Sequence, residues 1–119
     1  MPVVSLETNI KVEDSKALVA KLSKLATQVL GKPEHAILVK YTYNEALCWG
    51  GTFDPAFVLS VSSIGTFSPE KNPSHVEEFT KFLKENLGVD DKRGYIALED
   101  PGKDNIGFAG TTITKLHSK

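Results

Sequence analysis

One pattern occurs twice along this chain, and it limits the fold more than any other feature: a β-branched run, a helix ended by Leu-Gly, and a second β-rich run. Val3 to Thr8 alternates in the manner of a half-buried strand. From Asp14 to Leu30, Leu18, Leu22, Leu25 and Val29 recur at helical spacing. Lys16, Lys21 and Lys24 lie off that stripe, Asp14 or Ser15 stands where a cap belongs, and Gly31-Lys32-Pro33 ends the segment. Residues 36–43 read as the next strand. After a turn-rich stretch over 44–55, which contains Gly50-Gly51 and Asp54-Pro55, the order begins again. Residues 56–64 read as a strand and 66–73 as a loop. Ser74 and Glu77 have capping-box spacing at the head of a helix carrying Phe79, Phe82, Leu83 and Leu87, and 94–99 is a strand. Leu87-Gly88 lies 57 positions beyond Leu30-Gly31.

Two β-α-β pseudo-repeats, about 2–43 and 56–99, predict an α+β, ferredoxin-like sandwich with a four-stranded sheet and two helices on one face. Short strands are expected at 106–108 and 111–114, with a loose tail over 115–119. The other sheet face has no helix to cover it, so self-association is the expected cover. At 119 residues the chain reads as a single domain, 1–119, with a modest core.

Composition excludes several function classes. Fourteen basic and fifteen acidic side chains give a net charge of -1, so no electrostatic footprint for nucleic acid is present. No apolar run approaches the roughly 18 residues needed to cross a bilayer. The start of the chain has no basic region followed by an apolar stretch, so a protein without a secretory leader is expected. The single cysteine, Cys48, cannot form an intramolecular disulfide and is expected to be partly buried beside Trp49. His35, His75 and His117 lack metal-ligand spacing and read as surface residues; neither metal nor cofactor is called for. Gly50-Gly51 reads as a turn, because no phosphate-loop pattern surrounds it.

Met1-Pro2 carries a chemical consequence. Removal of the initiator would leave a secondary amine on Pro2. An α-amino group titrates at about 7.7–8.0, and burial lowers that value toward that of a general base usable near pH 7. Taken alone, the dipeptide reads as a proline that stiffens the start of the first strand. Likewise, Lys32 alone reads as a surface lysine favoured at a helix C-terminus.

Taken together, Met1-Pro2, Thr8-Asn9, Gly31-Lys32-Pro33, Gly50-Gly51, Ser62-Ser63-Ile64-Gly65, Tyr95-Ile96 and Asn105-Ile106-Gly107-Phe108 resemble the macrophage migration inhibitory factor and D-dopachrome tautomerase family of the tautomerase superfamily. The resemblance runs along essentially the whole chain. It implies a homotrimer with sites at subunit boundaries, and a cofactor-independent keto–enol isomerase acting on phenylpyruvate- or dopachrome-type substrates. Pro2 would be the base, Lys32 would hold the substrate carboxylate, and the Ile64 N–H would donate to substrate. Tyr95 would come from the neighbouring subunit, while Ile106, Phe108 and Ile113 would wall the pocket. It also implies cytokine-like activity through a cell-surface receptor, with a cytoplasmic protein secreted without a signal peptide.

The sequence departs from that pattern at instructive places. Ala97 stands where the migration inhibitory factor branch usually has a substrate-contacting asparagine. Ala56-Phe57-Val58-Leu59 replaces the Cys-x-x-Cys of some members. Lys11 keeps the charge of a receptor-engaging position, whereas Asn44 is neutral where an acidic residue occurs. The alternative reading is therefore a leaderless receptor-binding protein with weak or vestigial tautomerase activity.

Overall fold

The computed structural model describes residues 1–118. Strand β1 spans Pro2–Thr8, and every second residue from Pro2 through Val4, Leu6 and Thr8 is buried. Helix α1, Ser15–Leu30, is capped by Asp14, whose carboxylate accepts the Ala17 N–H at 3.0 Å. It buries Leu18, Leu22, Ala26 and Leu30, and Gly31 stops it in the left-handed conformation at φ 66°, where an L side chain would be strained. Strand β2 covers Leu38–Tyr43. The expected strand over 36–43 is shortened because Glu34–Ala36 form a 3-10 turn, its bonds running from Ala36 N–H to Pro33 and from Ile37 N–H to Glu34.

The second unit repeats this order with β3, Phe57–Ser63, helix α2, Asn72–Leu87, and β4, Gly94–Glu99. Its helix does not start with the expected Ser74 box. Lys71 is the N-cap and Pro73 lies in the first turn, where its missing N–H costs nothing. The Ser68 carbonyl accepts from the Lys71 and Asn72 N–H groups instead, and the Ser74 N–H is already bonded to Lys71.

The strand order is β2-β1-β3-β4. Each unit contributes a parallel pair, and the units meet through antiparallel β1 and β3 with Pro2 opposite Ser63 and Thr8 opposite Phe57. Within ferredoxin-like sandwiches this order is distinctive, because the two strands of a unit are direct neighbours rather than split. The core, centred on Val4, Leu6, Leu22, Leu59, Val61, Phe79 and Leu83, lies between the sheet and the two long helices.

The other sheet face carries no helix. Leu38 and Tyr95 on that face are 55% and 71% exposed. Beyond β4 the chain leaves the sandwich as an arm: β5, Gly107–Phe108, pairs with β6, Thr111–Thr112, and helix α3 spans Ile113–His117. The expected strand over 111–114 therefore ends at Thr112, whose hydroxyl caps α3 by accepting from the Lys115 N–H at 3.1 Å. Most of the expected loose tail is helical; Lys119 lies outside the described residues. The arm packs on itself rather than on the sheet. The radius of gyration, 15.1 Å, exceeds the ~13.5 Å of a compact chain of this length.

Phe79 is fully buried at the centre of this core. Phe79→Ala is expected to lower unfolding stability by about 3–5 kcal/mol, read from urea denaturation, whereas the exposed Lys81→Ala stays within about 0.5 kcal/mol.

Candidate active site

The antiparallel β1–β3 register brings the head of β1 and the tail of β3 together. Helix α1 runs back over β1, so its C-terminus reaches the same end of the sheet and delivers Gly31-Lys32-Pro33 there. The Lys32 ammonium donates to the Ile64 carbonyl at 3.3 Å, and Lys32 itself is half-buried. It forms no ion pair among the described residues. Pro2 is fully buried. Met1 is present ahead of it, so the terminal amine in this structure is that of Met1. Burial first, and the nearby Lys32 charge second, lower the proton affinity of that amine from its ordinary value of about 8.0. An amine one residue further along the chain, on Pro2, would start from the strand position itself.

The loop that follows β3 is held from three sides. Ser63, fully buried, shares a hydrogen bond of 2.5 Å with the Thr66 hydroxyl. The Ile64 carbonyl accepts from Lys32 and, at 3.4 Å, from Thr66. The Gly65 N–H donates to the Asp100 carboxylate at 3.0 Å, and Gly65 takes a left-handed φ of 71°. Asp100 also accepts from the Gly102 N–H at 2.9 Å. These two backbone donors, Gly65 foremost, hold its carboxyl below the usual aspartate value. The Ile64–Gly65 peptide is thus held through both its groups, the carbonyl by Lys32 and the Gly65 N–H by Asp100. The Ile64 N–H, on the preceding peptide, enters none of the loop or cap backbone bonds among the described residues.

One chain thus gathers Pro2, Lys32 and Ile64 and leaves the other expected site residues elsewhere. Tyr95 pairs with Val58, which pairs with Glu7, five residues along β1 from Pro2. At a rise of about 3.4 Å per residue, that is an offset of ~17 Å along the strands from Pro2, before the two strand spacings are added. Ile106 is half-buried and Phe108 is 65% exposed on the arm; Ile113 is buried within it, its N–H bonded to the Ile106 carbonyl at 2.9 Å. Ala97 lies on the open sheet face opposite Ser60, exposed. Asn44 donates to Glu7 at 2.8 Å.

Two expectations about other residues fail. Cys48 is exposed rather than partly buried, because the 44–55 loop lies outside the core. His75 is not a surface residue: α2 turns it inward against Phe67, with ring centroids 5.8 Å apart, and its Nε2 is buried without a partner. No alternation or motif marks Arg93, a lone arginine between two turns just ahead of β4. Its guanidinium donates to Pro55, Trp49, Thr52 and Asp54 and fastens the loop in front of β3. Among the described residues, no group of three or more His, Cys, Asp or Glu side chains could hold a metal, and no helix is long and apolar enough to cross a membrane.

An amine of lowered proton affinity, a lysine with no acidic partner among the described residues and the loop backbone after β3 converge at one end of a doubled β-α-β sandwich. That combination defines a class of small α+β protein made of two β-α-β units, with a lysine and the chain's amine together at the head of the first strand. A model of the macrophage migration inhibitory factor family matches residues 1–114. The chain is 34% identical over 114 residues to a macrophage migration inhibitory factor homolog of Brugia malayi, covering 95% of this chain and 99% of that one. It is 32% identical over 118 residues to the D-dopachrome decarboxylase-B of Xenopus laevis, covering 98% of this chain and 100% of that one. The solved macrophage migration inhibitory factor of Trichinella spiralis superposes with a TM-score of 0.87 at 31% identity, covering 92% of this chain and 98% of that chain. This protein belongs to the macrophage migration inhibitory factor family. Membership supports a cytokine and tautomerase function of that general kind.

The Asp100 clamp has a direct readout. Asp100→Asn should accelerate hydrogen exchange at the Gly65 amide by about tenfold or more while far-UV circular dichroism is unchanged. In the wild-type protein the same amide should lose protection as pH falls through the lowered carboxyl value, since protonation removes the acceptor charge.

Proposed function

We propose that the protein is a cofactor-independent keto–enol tautomerase acting on aromatic 2-keto acids or dopachrome-type substrates. The observation that carries this reading is the placement of buried Pro2 at the head of β1, at the end of the sheet where Lys32 meets the Ile64 carbonyl. At that place burial and Lys32 already lower the proton affinity of the Met1 amine. After removal of Met1, Pro2 presents a secondary amine as general base. It takes the proton α to the substrate carbonyl, the electron pair moves onto the carbonyl oxygen, and the Ile64 N–H donates to the oxygen as charge develops. The proton then returns to oxygen, so the reaction is a net isomerisation with no external reductant or oxidant. Lys32 binds the carboxylate and keeps the amine neutral through like-charge proximity.

The remaining wall requires a second copy. Tyr95 is too far along the sheet to serve its own chain's Pro2, and the arm with Ile106, Phe108 and Ile113 packs away from its own sheet. The open sheet face and the projecting arm support a homotrimer in which each boundary completes a site. A second reading gives the protein a role as a leaderless cytokine that binds a cell-surface receptor, with tautomerase activity weak or vestigial. It is favoured by Ala97, which offers a methyl group where a substrate-contacting amide would strengthen the site. Passage from cytoplasm to the exterior would then occur without a signal peptide.

Mass spectrometry of the mature N-terminus, paired with a phenylpyruvate tautomerase assay, tests the first reading. Pro2→Gly, prepared with the native N-terminus, should lose about 10²-fold or more in kcat/KM; unchanged turnover would overturn the mechanism. The pH profile of kcat/KM should fall on the acid side as the amine protonates, with an apparent pKa below the ordinary 8.0. Lys32→Ala removes the neighbouring positive charge, so the amine gains proton affinity and that acid limb should move to higher pH while KM rises about tenfold. For the receptor reading, the measurement is binding of the pure protein to the receptor ectodomain engaged by the family; absence of binding counts against it.

A further inference from the structure

Tyr95 is the most exposed of the large apolar or aromatic side chains on the sheet, at 71%. An exposed tyrosine on an edge strand ordinarily samples more than one rotamer. Here it has one aromatic neighbour, Trp49, whose ring meets it edge-to-face with centroids 4.7 Å apart and an interplanar angle of 60°. Such pairs contribute beyond their buried area and favour one mutual orientation.

Trp49 is itself held. It closes a tight turn through paired bonds with Thr52, 3.0 Å from the Trp49 N–H to the Thr52 carbonyl and 3.1 Å in return. Gly50 and Gly51 supply the left-handed φ values, 59° and 80°, that this turn requires. Arg93 then reaches across from the residue two before Tyr95. Its guanidinium donates to Thr52 Oγ1 at 3.0 Å, the Asp54 carbonyl at 3.0 Å and the Trp49 carbonyl at 3.4 Å, while its Nε donates to the Pro55 carbonyl at 2.8 Å. Turn and strand are therefore fastened to each other at the point where the two rings meet.

We propose that Trp49 is a positioning residue for the aromatic substrate subsite: clamped by Arg93, it fixes the Tyr95 ring in the orientation that this chain presents to its neighbour's Pro2. The proposal rests on the reading that Tyr95 completes the site of an adjoining subunit. Trp49 touches neither substrate nor the reacting atoms. Its effect falls on the binding of the aromatic ring and not on proton transfer at Pro2.

The test compares Trp49→Leu, which keeps apolar bulk and removes the aromatic edge, with Trp49→Phe, which keeps an aromatic edge, and with Tyr95→Leu. Phenylpyruvate is the probe, the N-terminus is native, and oligomeric state is checked by light scattering. Trp49→Leu should raise KM about three- to tenfold with kcat within about twofold, and Trp49→Phe should restore most of the loss. Unchanged KM in Trp49→Leu alongside a raised KM in Tyr95→Leu overturns the positioning role and leaves the tautomerase reading intact. Unchanged KM in both variants overturns the subunit-boundary role of Tyr95 and the positioning role with it. Trp49 is the sole tryptophan, so a second measurement needs no change at that position. Tyr95→Leu should shift or brighten its fluorescence emission, and an unaltered spectrum overturns the contact even if the Trp49 variants fail to fold.

Discussion

The antiparallel pairing of β1 with β3 is the constraint on which the site depends. It is the seam through which the two β-α-β units share one sheet, and its register sets Pro2 against Ser63. Every group at the site is delivered to that seam by a separate element: the amine by the start of β1, Lys32 by the end of α1, and the Ile64 peptide by the exit of β3. A shift of one residue along the seam would turn Val4 and Leu6 out of the core and carry Pro2 to the opposite sheet face. Core packing and site geometry are thus specified by the same register, because Val4, Leu6, Leu59 and Val61 are buried only in this alignment.

The pseudo-repeat gives the sheet two corresponding ends, and they have been put to different use. Gly31 and Gly88 end their helices in the same left-handed conformation, each at φ 66°. The residue after Gly31 is Lys32, half-buried and turned to the Ile64 carbonyl. The residue after Gly88 is Val89, which is 2% exposed and part of the core. At that second end Thr8 donates to the Ala56 carbonyl at 2.7 Å, Asn9 bonds to both sides of the 44–56 segment, and Arg93 fastens the turn. One end is closed by a polar clamp and an apolar plug; the other keeps a cation with a neighbouring amine. The difference is chemical and not topological.

Periodicity made the two units legible because burial on one face imposes it. Every second residue of β1 is buried, and of the expected α1 stripe Leu18 and Leu22 are buried while Leu25 and Val29 are partly buried against the core. Ser74 has capping spacing, yet α2 starts earlier, at the Lys71 N-cap, with the Ser68 carbonyl accepting the first N–H groups and Pro73 having no N–H that needs an acceptor. The arm departs from its pattern for a related reason, since β-branched Thr111 to Thr114 look extended although the Thr112 hydroxyl starts a helix there. Within the site, Pro2, Lys32 and Ile64 converge within one chain. Tyr95 and the arm residues took their assignment from resemblance alone, because nothing local in a sequence states which side chains will meet across a boundary. The Arg93 clamp and the Trp49–Tyr95 contact join segments about forty positions apart and leave no periodic trace.

The incompleteness of the single chain bears on the chemistry as well as the assembly. Burial is the larger cause of the Met1 amine's lowered proton affinity, with Lys32 second, and a Pro2 amine at the same end of the sheet would be subject to the same two causes. Desolvation grows as apolar surface closes over a group, and Coulombic repulsion grows as water is excluded from between two charges. An isolated chain leaves its amine only partly screened from solvent, beside an uncovered sheet face and an arm that extends the molecule to 50 Å. In the proposed trimer, a neighbour that brings Tyr95 and covers this end strengthens both causes in the same direction. Assembly would then tune the base at the moment it builds the substrate wall, so that an amine competent near neutral pH belongs to the assembled boundary rather than to the chain by itself.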